Sequence, residues 1–108
     1  MGIDWNERAE EATDKLWQTD RQLAELRAKY ERDKRKAKRM WSAIFLRVDG
    51  TVEAKKAQAE THPEYELMVN AEMTSLLEYE ALNNQRGTCK TVIDFWRSWN
   101  KAKTEGQI

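Results

Sequence analysis

At 108 residues the chain is one domain's worth of sequence, and four Gly with one Pro leave too few breakers for a loop-rich β fold. Lys+Arg and Asp+Glu balance at 19 each, so net charge does not mark a nucleic-acid binder. One Cys and one His exclude an internal disulfide and a Cys-based zinc site, and leave classical His-based catalysis little to work with.

The start, Met1-Gly2-Ile3-Asp4-Trp5-Asn6-Glu7, has neither the basic nor the apolar region of a secretory signal. The longest mainly apolar run, Met40 to Leu46, falls far short of the roughly 20 residues of a membrane span. Asn6 breaks the myristoylation pattern that Gly2 would open. The expectation is a cytoplasmic protein with no membrane attachment.

From residue 9, alternating steps of three and four pick out Ala9, Ala12, Leu16, Thr19, Leu23, Leu26, Tyr30, Asp33, Ala37, Met40 and Ile44. Nine of the eleven are apolar or aromatic, which is the seam of a sustained heptad. With no Pro or Gly between Asp4 and Val48, the spacing predicts one helix over about 5–47. Asp49-Gly50 stops it, since Gly50 suits the left-handed position past a helix end. Thr51 is a good N-cap, with Glu53 in the first turn of a short helix over about 52–60. His62-Pro63 ends that helix, and Pro63 can open the next.

A second long helix is predicted over about 64–101. Its apolar positions are Tyr65, Met68, Val69, Met73, Leu76, Leu77 and Tyr79, then Leu82, Cys89, Val92, Ile93, Trp96 and Trp99. The polar stretch Asn83-Asn84-Gln85-Arg86-Gly87 between them reads as a weak point or kink. The tail from Lys103 to Ile108 is polar and expected to fray. The whole is a single all-α domain: a long antiparallel helical hairpin, coiled-coil-like, with a short connecting helix.

Charge supports the antiparallel arrangement. Residues 1–20 carry six acids against two bases, and residues 29–39 seven bases against two acids; residues 60–80 carry six acids and no base, and residues 86–103 five bases against Asp94. Folding back near residue 57 sets basic against acidic along the length. Position 35 then faces about 79, position 15 faces about 99, and the seam residue Asp33 faces Asn83 or Asn84 in a polar layer. Two helices make a thin core, so a homo-oligomer is expected. Leu16, Trp17, Leu23, Leu26, Ile44, Trp96 and Trp99 are its core and oligomer candidates. Trp17 would lie opposite Trp96 and Trp99 as an aromatic plug, and Phe95 would point elsewhere.

The basic run from Lys29 to Arg39 is the best functional candidate. On a helix Lys34 and Lys38, and Arg35 and Arg39, form i,i+4 columns that can track phosphates, while Tyr30 and Trp41 offer faces to unpaired bases. The plainer reading is a solvated face that answers the acidic 60–80 stretch. His62 has no second metal ligand nearby and reads as structural; Cys89 reads as a small buried apolar residue. Glu72, Glu78 and Glu80 are not gathered into an acid/base site, and Gly87-Thr88-Cys89-Lys90-Thr91 lacks phosphate-loop spacing. Neither catalysis nor a cofactor is expected.

Several features together resemble the small phage recombination mediators of the UvsY type. They are Tyr30 leading into the Lys/Arg-rich helix with Trp41, the Gly50-Thr51-Val52-Glu53 turn, the Ala54/Ala57/Ala59 helix, Tyr65, and the hydrophobic helix from Leu76 to Trp96. The resemblance spans roughly residues 25–100. It implies a ring-forming oligomer that binds single-stranded DNA, contacts a single-strand binding protein and helps load a RecA-like recombinase. A small coiled-coil adaptor, or an inhibitor of a host protein with no nucleic-acid role, fits the same residues.

Overall fold

The computed structural model describes residues 2–106. The chain is all-α: α1 runs Trp5–Arg47, α2 Val52–Thr61 and α3 Pro63–Thr104, with α1 and α3 forming the expected antiparallel hairpin. The start of α1 is held by Asp4, whose carboxylate accepts from the Glu7 amide at 3.1 Å. Gly50 takes φ +127°, and a Cβ there would stand 3.3 Å from that of Ala54. Thr51 then caps α2 by accepting from the Ala54 amide at 3.2 Å. His62 closes α2 through its backbone N–H to the Ala59 carbonyl, and its Nδ1 accepts from the Glu64 amide at the start of α3. α3 is continuous through Asn83–Gly87 and extends to Thr104, so the polar stretch does not break it. Glu105 and Gly106 form a turn, and Gln107 and Ile108 of the expected frayed tail lie outside the described residues. No helix among the described residues is long and apolar enough to cross a membrane.

Contacts group the chain into two compact units: Met1–Ala24 with Glu80–Ile108, and Glu25–Tyr79. In the first, the seam of α1 meets that of α3 through Ala9, Ala12, Leu82 and Cys89, all buried. Arg86 also occupies a seam position and is 8% exposed. Its Nη1 donates to the Leu16 carbonyl at 2.7 Å and to Thr19 Oγ1 at 2.9 Å, and its Nη2 donates to Asp20 at 3.1 Å. Thr19 passes its own proton to the Lys15 carbonyl at 2.6 Å, so the cluster has one donor direction throughout.

In the second unit the buried residues are Ala37, Ile44, Ala59 and Ser75. Ala59 seats α2, while Lys55 and Gln58 reach back to Phe45 and the Asp49 carbonyl. Arg47 donates to Glu64 at 3.2 Å, which fixes the start of α3 beside the end of α1. The pairs further along the helices give the register. Lys29 pairs with Glu78, and the Ser75 hydroxyl donates to Asp33. The polar layer at Asp33 therefore exists, but its partner is Ser75 and not Asn83 or Asn84. Likewise Asp20 meets Arg86, well short of a register in which position 15 faces 99. The cross-helix pairs 47/64, 33/75, 29/78, 20/86 and 6/96 centre on residues 51–56, a few residues before the expected fold-back point near residue 57.

Two outcomes follow for stability. Ile44 is fully buried, and Ile44→Ala should cost about 2–5 kcal/mol in denaturant unfolding followed by circular dichroism. Asp33→Ala and Ser75→Ala should each destabilise. The double variant should lose less than their sum by about 0.5–3 kcal/mol, the coupling of one shared hydrogen bond; strict additivity would mean that the pair contributes nothing.

Candidate nucleic-acid interface

The basic run lies on α1 within the second unit. Successive helical residues are turned by about 100°, so its bases point in several directions. Lys34, Lys38 and the aromatics Tyr30, Trp41 and Phe45 fall along one flank of the helix. Arg32, Arg35 and Arg39 fall on the side away from the seam, roughly 100° further round. Sequence reasoning treated these as one patch; the helix phase divides them.

The flank is built from ring and ammonium contacts. Trp41 stacks on Phe45 with ring centroids 5.4 Å apart and planes 14° off parallel. Lys34 Nζ sits 5.9 Å from the Tyr30 centroid, and Lys55 of α2 sits 5.4 Å from that of Phe45. Tyr30, Lys34, Trp41 and Phe45 are half-buried, and Lys38 is exposed between them. The result is a ladder of aromatic edges and ammonium groups, anchored by packing yet open to solvent. Phe45 and Lys55 were missed in the sequence. Phe45 was visible as the i+4 partner of Trp41, but Lys55 reaches the ladder only because α2 folds back onto α1.

The acidic stretch does not neutralise this run. Of the seven bases in 29–39, only Lys29 pairs with an acid, Glu78, at 3.5 Å. Arg32, Arg35, Lys36, Lys38 and Arg39 are exposed, and their side chains make no ion pair or hydrogen bond with the described residues. Of the run's own two acids, Asp33 turns inward to Ser75, and Glu31 is exposed one turn before Arg35. Three like-charged i,i+4 pairs, Arg32/Lys36, Lys34/Lys38 and Arg35/Arg39, stand against that one exposed acid. Each costs the helix about 0.2–0.5 kcal/mol. The run therefore keeps an excess of positive charge facing solvent.

The other candidates divide. Ile44 is buried, and Leu16, Leu23, Leu26, Trp96 and Trp99 are half-buried. Trp17 is 81% exposed and does not close a plug with Trp96 and Trp99; it forms the rim of an open cavity of about 240 Å³ with Leu16, Asp20 and Arg86. One helical step sets Trp17 outside the seam that Leu16 occupies. Trp96 instead donates to Asn6 at 2.7 Å, and Lys103 covers Trp99 at 5.0 Å. Phe95, though 53% exposed, packs on Trp5 at 4.5 Å. Among the described residues no three His, Cys, Asp or Glu side chains are grouped to hold a metal ion. Comparison of the chain with protein-family models, curated proteins and solved structures returned no match, so the functional reading rests on these residues themselves.

Proposed function

We propose that this chain is a non-enzymatic, single-stranded-DNA-binding accessory protein of recombination or replication. In this reading it is phage-encoded and acts as a homo-oligomer that assists the loading of a RecA-like recombinase, in contact with a single-strand binding protein. The observation that carries the DNA step is the flank of α1, where uncompensated ammonium groups alternate with a packed aromatic ladder. Lys34, Lys38 and Lys55 contact phosphates. Trp41 and Tyr30 present faces on which unpaired bases stack, which suits strands of any sequence because every base has a π-face. Lys34 and Lys38, one turn apart, are spaced by about 6 Å along the helix axis, which lets one strand run along both. Arg35 and Arg39, on the adjoining outward side of α1, are not among these contacts.

Two outcomes test this reading. Fluorescence anisotropy of a labelled single-stranded oligonucleotide should show binding whose log–log salt slope is near −2, as expected for about three phosphate contacts. Lys34→Glu with Lys38→Glu should weaken binding by at least about tenfold, while the helical circular dichroism is kept. Unchanged affinity in that variant would sink the proposed contact. Separately, Trp41→Ala should cost about 1–3 kcal/mol of binding and leave the salt slope unaltered, because stacking displaces no counterions.

A further inference from the structure

In the second unit α3 is apolar on two opposite sides. Its seam side, with Tyr65, Met68, Leu76 and Tyr79, packs inward. On the other side Leu67, Met73 and Leu77 are 68%, 48% and 67% exposed. Leu67, Asn70, Thr74 and Leu77 follow steps of three, four and three, the spacing of a coiled-coil seam. A helix with a second apolar stripe is built to receive a second helix.

The charges around that stripe identify the occupant. Residues 60–80 contain six acids and no base. Along α3, Glu66 lies beside Leu67, and Glu78 and Glu80 flank the stripe at Leu77; Glu78 is paired with Lys29, whereas Glu66 and Glu80 are exposed and make no ion pair with the described residues. The complementary surface is a helix stripe with bases at heptad spacing and an apolar residue at its end. α1 of this same chain carries one: Arg32, Arg35 and Arg39 step by three and four on its outward side, and continue in phase to Leu46, which is 79% exposed. The guanidinium stems can lie over the leucines while their heads reach the carboxylates.

We propose that the Leu67–Met73–Leu77 face of α3 docks the Arg32–Arg35–Arg39–Leu46 stripe of α1 from a second copy of this chain. The helices run antiparallel with Leu46 against Leu67, which brings the arginines over Met73 and Leu77. The donor stripe faces away from α3 and the acceptor face away from α1, so one two-fold contact cannot use both, and the contact is head-to-tail. Each added copy leaves one surface of each kind free until a ring closes. The Lys34–Lys38–Trp41 flank is not part of this contact. The proposal thus specifies the self-association within the function proposed above, and rests on its oligomeric part and not on its DNA step.

The test is sedimentation velocity of the full chain over a range of concentrations, without DNA. The wild type should form assemblies that weaken with salt. Leu67→Lys with Leu77→Lys removes the acceptor face, and Arg35→Glu with Arg39→Glu removes the donor stripe. Each double variant should lose association by at least about tenfold while keeping its helical signal. Mixed together, the two variants should form a 1:1 dimer that grows no further, since each retains one intact surface. A monomeric wild type, assemblies indifferent to both variants, or a mixture that stays monomeric would each overturn the proposal; the last would mark a symmetric contact. Oligonucleotide binding by the leucine variant reads the DNA step separately, so failure of either idea is seen on its own.

Discussion

Everything in this protein depends on a seam too narrow to hold a large core. Two helices can bury only what lies between them, and in α1 that line repeats every 3.5 residues from Ala9 to Ile44. Alanines fill it at positions 9, 12 and 37, so the backbones can approach closely and bury little area per residue. Among the described residues Ile44 is the one large apolar side chain that is fully buried. Each unit also gives a seam position to a polar group, Arg86 in one and the Asp33–Ser75 pair in the other. Such layers add little net stability, but a slipped register would leave each of them without a partner inside the seam. Register is therefore held by hydrogen bonds and affinity between the helices by a thin apolar line.

That division explains what was legible in the sequence. The α1 seam could be read residue by residue, because a heptad of apolar residues flanked by charge admits only one inward face; all eleven of its positions are buried or half-buried. The caps at Thr51 and His62 were equally plain, since Gly50, Thr51 and Pro63 act through local geometry. α3 was less transparent. Between Met68 and Tyr79 it has apolar residues on two sides, and periodicity does not say which side faces α1. Of its apolar residues Met73 and Leu77 lie outside the seam, while the polar Ser75 and Arg86 lie in it. Charge balance likewise gave the direction of pairing but not its register. That is fixed by which polar groups meet inside the seam, Arg86 with Thr19 and the Leu16 carbonyl, and Asp33 with Ser75.

The candidate site shows the same limit. Counting charges found the basic run and left open whether the acidic stretch neutralises it. Whether it does so depends on which carboxylates come within reach. Lys29 finds Glu78, Asp33 is taken inward by Ser75, and five bases of the run are left facing solvent. Helix phase then separates two surfaces that look like one in the linear sequence. Lysines and aromatics share a flank, and arginines share the outward stripe. Their chemistry differs as well: ammonium groups act on phosphate as mobile point charges, while guanidinium forks suit fixed carboxylates and can lie flat over apolar side chains.

This separation would let the proposed binding and the proposed assembly proceed together. If the arginine stripe is covered by the α3 face of a neighbour, each copy still presents one lysine–aromatic flank, and every copy presents the same one. A site of about three phosphate contacts is weak alone at physiological salt. Repeated along an assembly, successive sites meet the same strand at high effective concentration, and the combined affinity can exceed that of one site by roughly 10²–10⁴ without any new contact. The zero net charge of the chain is then no obstacle to DNA binding. In the proposed assembly the acids of α3 would pair with a neighbour's arginines, and the lysines that remain would define the surface a strand meets.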